Sequence, residues 1–207
     1  MPLALELSFS WSDTCPIGSR RTDGNASRPM EADWVDEVYR FWFDAPEHWF
    51  GPDPNFDAEI RRRFTDLYET LKREHPSAMS PRWSVAAVIA LDQFPRNMFR
   101  GTAQEYATDA QALSIARAAL ADRADQQIRV DERLFLYMPF MHSEEPANQQ
   151  RSVTLYASLD VPEALKAARE HKMVIDKFGR FPHRNKVLGR TSTPDELAFL
   201  KTGMTFQ

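Results

Sequence analysis

The sequence predicts an all-α fold, and three observations indicate it. From Trp34 onward, apolar residues recur at helical spacing. No segment alternates polar and apolar residues as a half-buried strand would. The connections between the helical segments are short, which favours antiparallel neighbours, arranged either as stacked helical hairpins or as a bundle. We expect a single all-α domain over residues 31–207, preceded by a flexible leader over residues 1–30 that lacks apolar periodicity.

The composition is typical of a soluble globular protein. Of the 207 residues, 43% are hydrophobic and 27% are charged, and a chain of this length can bury a sizeable core without disulfides. Cys15 is the only cysteine, which excludes an intrachain disulfide and agrees with a cytoplasmic location. The formal net charge of -4 supplies no broad basic surface, so nucleic acid is not an expected partner. No apolar run is long enough for a membrane span, so no membrane partner is expected either.

Two helices in the first half differ in the distribution of their apolar residues. Over residues 54–74 the apolar side chains form one stripe opposite charged residues, which predicts a helix on the surface of the domain. Over residues 81–94 they surround the helix axis, which predicts a central helix. Ser80 is the expected N-cap of this central helix, because Pro81 suits the first helical position.

Two more helices follow in the middle of the chain. Weaker helical periodicity around residues 113–120 predicts one of them. The apolar run of residues 134–141 predicts the other, which should be buried. Pro139 lacks an N–H group, so we expect it to end or kink this helix just before His142.

Capping patterns predict two helices near the C-terminus. Asp160 and Glu163 have the spacing of a capping box that would open a long helix, and Gly179 is a suitable C-terminal cap for it. Thr193 and Glu196 have the same spacing and predict a final short helix.

Three short segments, residues 91–101, 137–145 and 178–185, combine charged and amide side chains with aromatic ones. Each begins at or near the end of an apolar stretch. We therefore expect their polar groups to meet at one edge of the core, where pairing must offset the cost of desolvation. This edge is the candidate site.

Arginines and amides of the first and third segments are the expected ligand-binding groups, because a guanidinium offers a rigid fork of donors to a carboxylate or phosphate. If Pro95 ends its helix, the turn that follows would present two guanidinium groups to one anion. The alternative is structural, an ion pair between Asp92 and Arg96 and a neutralised helix end after Gly179. The candidate ligand-binding residues are Asp92, Arg96, Asn97, Arg100, Arg180, Arg184 and Asn185.

Histidines and glutamates are the candidate catalytic residues. His142 precedes Glu144 by two residues and Glu145 by three, so they could share a site for acid–base chemistry, and His183 is a second candidate proton carrier. The alternative is a helix start in which Ser143 caps and the glutamates favour the positive end of the helix dipole. Neighbouring arginines oppose a metal ion, and neither a metal nor another cofactor is expected.

Several motifs resemble, in the same order, those of a known bacterial family. They are the three polar segments together with residues 41–43, 48–51 and 188–196. Over roughly residues 33–200 the sequence is similar to the family of domain of unknown function 924. The resemblance implies an all-α fold of the tetratricopeptide-like superhelical kind. It implies no activity, because the family is itself uncharacterised and supplies no catalytic residues.

Three functions are compatible with these observations. The favoured one is a polar pocket that binds an anionic small molecule or peptide through its carboxylate or phosphate. The second is a hydrolase-type enzyme in which a histidine transfers a proton and a carboxylate orients it. The third is a scaffold that presents a concave helical surface to a protein. A cavity beside the polar segments would favour the first two functions, and a dry, fully paired network would favour the third.

Overall fold

The computed structural model describes residues 33–74 and 80–202, and no strand is present among them. This confirms the all-α prediction. The described α-helices are α1 (Asp33–Phe43), α2 (Pro54–Glu74), α3 (Pro81–Val88), α4 (Phe94–Met98), α5 (Asp109–Ala121), α6 (Val130–His142), α7 (Pro146–Ala157), α8 (Pro162–Phe178) and α9 (Pro194–Leu200). The expected leader and its cysteine lie outside the described residues. Within the described ranges, no helix has the length and apolarity needed to traverse a bilayer.

Short helical turns connect several of these helices. Four are 3-10 turns, and they span Pro46–His48, Ala103–Tyr106, Ala124–Gln127 and Pro182–Arg184. A fifth turn, Ile89–Gln93, is a π-turn that joins α3 directly to α4. Such turns contain an extra residue and occur frequently at functional sites.

The predictions for the first half of the domain are confirmed. Helix α2 spans the predicted residues and buries one face, which includes Phe64 and Tyr68. Helix α3 begins where expected, because the Ser80 hydroxyl accepts a hydrogen bond from the backbone N–H of Trp83 at 3.0 Å. Every residue from Trp83 to Gln93 is buried, so α3 and the π-turn form the centre of the domain.

Pro95 does not end the central helix, because the π-turn accommodates it. The backbone N–H of Phe94 bonds to the carbonyl of Ile89, five residues earlier, and the chain then continues as α4. Proline cannot donate to the carbonyl of Leu91, which instead accepts a hydrogen bond from the Thr108 hydroxyl at 2.6 Å. The predicted alternative in which Pro95 starts a free turn is therefore wrong.

Two of the predictions for helix ends in the second half need correction. Helix α6 continues through Pro139 and includes His142. Helix α8 begins without the predicted capping box, since Asp160 has a left-handed backbone with φ 54 and Val161 occupies the N-cap position without a side-chain bond. The Gly179 cap of this helix is confirmed, with φ 69.

The capping box of α9 is confirmed in both of its hydrogen bonds. The Thr193 hydroxyl accepts from the N–H of Glu196 at 3.2 Å, and the Glu196 carboxylate accepts from the N–H of Thr193 at 2.7 Å. The last helix is thereby anchored at its first turn.

The helices pack in sequence around one large core. Helix α7 packs against both α6 and α8, while α3 packs against α5 and α6. A smaller cluster formed by Val174, Ile175 and Phe181 lies at the end of α8 and is covered by Phe199 of α9. This arrangement is compatible with the tetratricopeptide-like superhelix that the family resemblance implies.

Candidate functional site

A cavity of about 120 Å³ lies between the π-turn and α4 on one side and α6 and α8 on the other. Its polar wall contains Gln93, Arg96, Asn97, Arg100, His142 and His171. Its apolar wall includes Trp49, Phe50, Leu134, Met138, Met141 and Tyr156. The first polar segment and His142 of the second therefore meet at one cavity, whereas no residue of the third segment, which was expected to join them, is part of its described wall.

The polar wall is built around a contact between Asp92 and His142. The Asp92 side chain is fully buried, and its Oδ1 lies 2.9 Å from Nδ1 of His142. The Gln93 amide donates to the other carboxylate oxygen at 2.6 Å, and Arg96 lies 3.4 Å from Oδ1. Asp92 comes from the π-turn and His142 from the last residue of α6, so the contact joins two central elements.

Burial and charge determine the protonation of this pair. Burial alone would raise the pKa of Asp92, but the charge of Arg96 and the bond to His142 outweigh it and lower the pKa. Burial and Arg96 lower the pKa of His142 more than Asp92 raises it. At neutral pH the pair is thus an ionised carboxylate beside a neutral imidazole. Nδ1 carries the imidazole proton, because an ionised carboxylate only accepts hydrogen bonds.

Arg96 connects the cavity to a second buried arginine. Its guanidinium lies 3.0 Å from Asp109, and Arg184 reaches the same carboxylate at 3.2 Å. The Arg184 guanidinium carbon lies 4.4 Å from the ring centre of Tyr106 and 4.6 Å from that of Phe181. Burial lowers the pKa of Arg184, although Asp109 opposes this effect. Asp109 therefore bridges the first and third polar segments, but Arg184 itself is not part of the cavity wall.

Asn97 and Arg100 share the carboxylate of Asp57. The Asn97 amide donates to it at 2.7 Å, and Arg100 lies 3.3 Å from it. Asp57 belongs to the first turn of α2 and is not part of the cavity wall. Asp57 thus holds the Asn97 amide and the Arg100 guanidinium in place without lining the cavity itself.

Two other candidates of the third segment, Arg180 and Asn185, pair with Glu196 of α9 and are not part of the cavity wall. Arg180 donates to Glu196 at 2.7 and 2.9 Å, and the Asn185 amide donates to the same carboxylate at 3.2 Å. Hydrogen bonding to Arg180 lowers the pKa of Glu196 to about 2, although burial opposes it. These candidates tie the turn after α8 to α9.

Of the four candidate catalytic residues, only His142 contributes to the cavity wall. Glu144 accepts hydrogen bonds from Arg190 at 2.7 Å and from the N–H of Phe181 at 2.8 Å. Glu145 is exposed at the start of α7. The His183 ring lies tilted against that of Phe181, with centroids 5.5 Å apart, and burial together with Arg184 lowers its pKa to about 3. The carboxylate partner of His142 is Asp92 instead of a glutamate.

Most of the chain matches a family of unknown function. The profile described as "Bacterial protein of unknown function (DUF924)" matches residues 38–204. The chain belongs to the DUF924 family. It is similar to a solved structure of a protein of unknown function from Agrobacterium tumefaciens, at 41% identity and a TM-score of 0.78, covering 82% of this chain and 97% of that one. No curated protein matches the sequence.

Four functional-site residues of this DUF924 chain were not predicted as site residues. Asp57 and Asp109 hold candidate donors, the Gln93 amide donates to Asp92, and Gln93 and His171 both contribute to the cavity wall. The His171 ring lies 6.1 Å from that of His142, and its Nδ1 lies 2.8 Å from the carbonyl of Ala167. Burial and His142 lower the pKa of His171 to about 3. Its position on the apolar face of α8 was the one available signal.

The cavity wall does not resemble a metal centre. Across residues 33–74 and 80–202, no group of three or more His, Cys, Asp or Glu side chains is arranged to hold a metal ion. The imidazoles of His142 and His171 are accompanied by Arg96 and Arg100, whose charges repel a cation. What the wall can do chemically is donate hydrogen bonds and, through the neutral imidazole of His142, accept a proton.

Proposed function

We propose that this protein binds a small carboxylic acid with an apolar body in the cavity between α4, α6 and α8. The observation that supports this proposal is the separation of donors from acceptors. Arginine, amide and imidazole side chains face the cavity, whereas the carboxylates that hold them lie behind the wall. Among the described wall residues, Glu163 is the single carboxylate.

The donors are preorganised for a ligand that accepts hydrogen bonds. Asp57 holds Asn97 and Arg100, and Asp92 and Asp109 hold Arg96. Side chains held in this way lose little conformational freedom when a ligand arrives, so more of the interaction energy contributes to affinity. A guanidinium has five N–H groups, so an arginine bound to one carboxylate can still bind a second.

The charge balance favours a monoanion over a phosphate. Three arginines, Arg96, Arg100 and Arg184, share three carboxylates in this network, so the formal charge of the network is zero before a ligand binds. Glu163 of the wall adds one negative charge beside it. A carboxylate adds one negative charge to the site. A phosphate monoester adds up to two, which a neutral buried network accommodates less easily.

The apolar wall and the volume set the size of the ligand body. A cavity of about 120 Å³ is comparable with an engineered apolar cavity of about 150 Å³ that binds benzene. Trp49, Phe50 and the two methionines of α6 offer an aromatic and polarizable surface to a ring or a short alkyl chain. Benzoate, phenylacetate and hexanoate are therefore suitable probes.

Thermal shift and calorimetry with these acids test the proposal. Each acid is compared with its primary amide, which has the same shape without the charge, and with phenyl phosphate. We expect at least one acid to raise Tm, and its amide to have a smaller effect. An equal response to acid and amide would contradict the proposal, and so would the absence of a response to all three acids.

Two variants and one control locate the binding site. Ala167→Trp fills the cavity and should abolish the response, because Ala167 is part of the wall. Arg100→Gln should weaken binding about tenfold or more, since a charge-assisted hydrogen bond contributes about 1.5–3 kcal/mol. Arg62→Gln changes an exposed arginine paired with Glu59 and should bind as the parent does. Unchanged binding by both cavity variants would contradict the location.

A further inference from the structure

We infer that this cavity hydrolyses an ester of a small apolar carboxylic acid, with His142 as the general base and water as the nucleophile. The inference rests on the proposed function, because the acid that the cavity is proposed to bind is the product of this reaction. It adds a reaction, a substrate class and a role for the pair formed by Asp92 and His142.

The contact between Asp92 and His142 has the geometry of a general base that a carboxylate holds in one orientation. Asp92 receives hydrogen bonds on both carboxylate oxygens, from His142 and from Gln93, and its side chain is fully buried. His142 is itself part of the cavity wall, and no hydrogen bond of its Nε2 is found within the described ranges. Because Nδ1 donates to Asp92, the unprotonated Nε2 is the atom that can accept a proton from a group in the cavity.

The wall residues determine the nucleophile. They include no serine, threonine or cysteine, and the hydroxyl of Tyr156 donates to the carbonyl of Leu134 at 2.7 Å. An acyl-enzyme on a serine, threonine or cysteine side chain therefore cannot form at the described part of the wall. A water molecule bonded to Nε2 of His142 is the nucleophile in this proposal, because Nε2 is the atom of the pair that can take its proton.

The reaction needs no reagent besides water. The water oxygen forms a bond to the ester carbonyl carbon while Nε2 of His142 takes one of its protons, and the carbonyl π electrons move to the carbonyl oxygen. When the C=O bond re-forms, the bond to the alkoxy group breaks, and the departing oxygen takes the proton from His142. The products are a carboxylic acid and an alcohol, and the imidazole returns to its neutral form.

Arg96 is placed to stabilise the negative charge that develops on the carbonyl oxygen. It is part of the same wall as His142, and its contacts with Asp92 and Asp109 fix its position. Preorganised donors of this kind supply a large share of catalysis in acyl transfer. Asp92 is a positioning residue, because it acts on the substrate only through His142.

Hydrolysis of p-nitrophenyl acetate and p-nitrophenyl butyrate by the full chain tests the inference. His142→Gln should reduce kcat/KM at least about 100-fold, which is the usual contribution of a general base. His183→Gln removes a histidine that lies outside the cavity wall and should keep the parent's activity. A folded His142→Gln protein that retains activity within threefold of the parent would overturn the inference, as would no activity of the parent above the buffer rate.

Two measurements do not depend on a stable variant. Nitrogen-15 NMR of the parent should find His142 neutral at pH 7 with its proton on Nδ1, whereas a proton on Nε2 would overturn the inference. The rate should be constant above pH 6.5 and fall in acid as the imidazole is protonated. If benzoate or hexanoate binds but neither ester is hydrolysed, the reaction is disproved and the binding proposal stands. If no acid binds, both are disproved.

Discussion

The hydroxyl of Thr108 donates a hydrogen bond of 2.6 Å to the carbonyl oxygen of Leu91. That carbonyl lies four residues before Pro95, whose nitrogen carries no proton to donate. Thr108 is 1% exposed, so water cannot replace its hydroxyl. The proline within the central helix is therefore tolerated because of a side chain from the start of α5.

Replacing Thr108 by valine should destabilise the protein by about 1–3 kcal/mol. The substitution keeps the shape of the side chain but leaves the buried carbonyl of Leu91 without a partner. Urea unfolding measures the change. Thr154→Val is the matched control, because the Thr154 hydroxyl also bonds to a helix carbonyl but is exposed, and it should change stability by less than about 0.5 kcal/mol. Equal effects of the two substitutions would contradict this account.

Replacing Asp109 by asparagine should destabilise the protein by about 3 kcal/mol. Asp109 is the shared counter-charge of Arg96 and Arg184, whose side chains are 11% and 8% exposed. Its loss leaves Arg184 without its ion-pair partner and leaves Asp92 as the one described carboxylate paired with Arg96. Asp176→Asn removes a carboxylate from an exposed pair with Lys172 and should have little effect. If Asp109→Asn and Asp176→Asn unfold at the same urea concentration, the role of Asp109 between the two arginines is refuted.

The capping box of α9 should contribute stability that is lost in acid. The pKa of Glu196 is lowered to about 2 from 4.5, so its ionised form stabilises the fold above pH 4.5, and this stabilisation is lost as the pH falls from 4.5 towards 2. Glu196→Gln should cost about 1–2 kcal/mol at pH 7 and less at pH 3. Glu170→Gln, in a surface pair with Lys166, is the control and should be near neutral. If Glu196→Gln lost the same unfolding free energy at pH 7 and at pH 3, this role of the Glu196 carboxylate would be refuted.

His171 should make the protein less stable as the pH falls below 6.5. Its pKa is lowered to about 3 in the folded protein, so the unfolded chain binds a proton between pH 6.5 and 3 that the folded chain does not. In His171→Gln, the slope of the unfolding free energy against pH in this window should decrease by about 1.4 kcal/mol per pH unit. Met173→Gln, an exposed change on the same helix, should keep the parent's slope. If the unfolding free energy of the parent and of His171→Gln had the same slope against pH in this window, the low pKa would not belong to His171.

Features that depend on neighbouring residues were predictable from the sequence. The N-cap at Ser80, the capping box at Thr193 and the C-cap at Gly179 each need only one turn of chain, and all three are confirmed. The box proposed at Asp160 failed because that residue adopts a left-handed backbone, which the spacing of side chains does not encode. The π-turn was also missed, since the apolar residues of this helix surround its axis and show no preferred face.

The partners in the site were harder to predict because they lie far apart in the sequence. His142 was expected to share a site with Glu144 or Glu145 because they are neighbours in the sequence, yet its carboxylate partner is Asp92, fifty residues earlier. Asp57 and Asp109 lie in the first turns of helices. An acidic residue at such a position is already explained by its favourable interaction with the helix dipole, so its position alone does not indicate a role in a site. Packing of α2 and α5 against the central helix gives these two residues their roles, and no local pattern specifies that packing.

The π-turn also makes the site sensitive to the length of the chain at one place. Each residue of a helix turns its successors by about 100°. Loss of a single codon between Ile89 and Gln93 would restore a regular helix and rotate Arg96 and Asn97 from the cavity toward a neighbouring helix. A change of length at this turn would therefore abolish the pocket even where Arg96 and Asn97 themselves are retained.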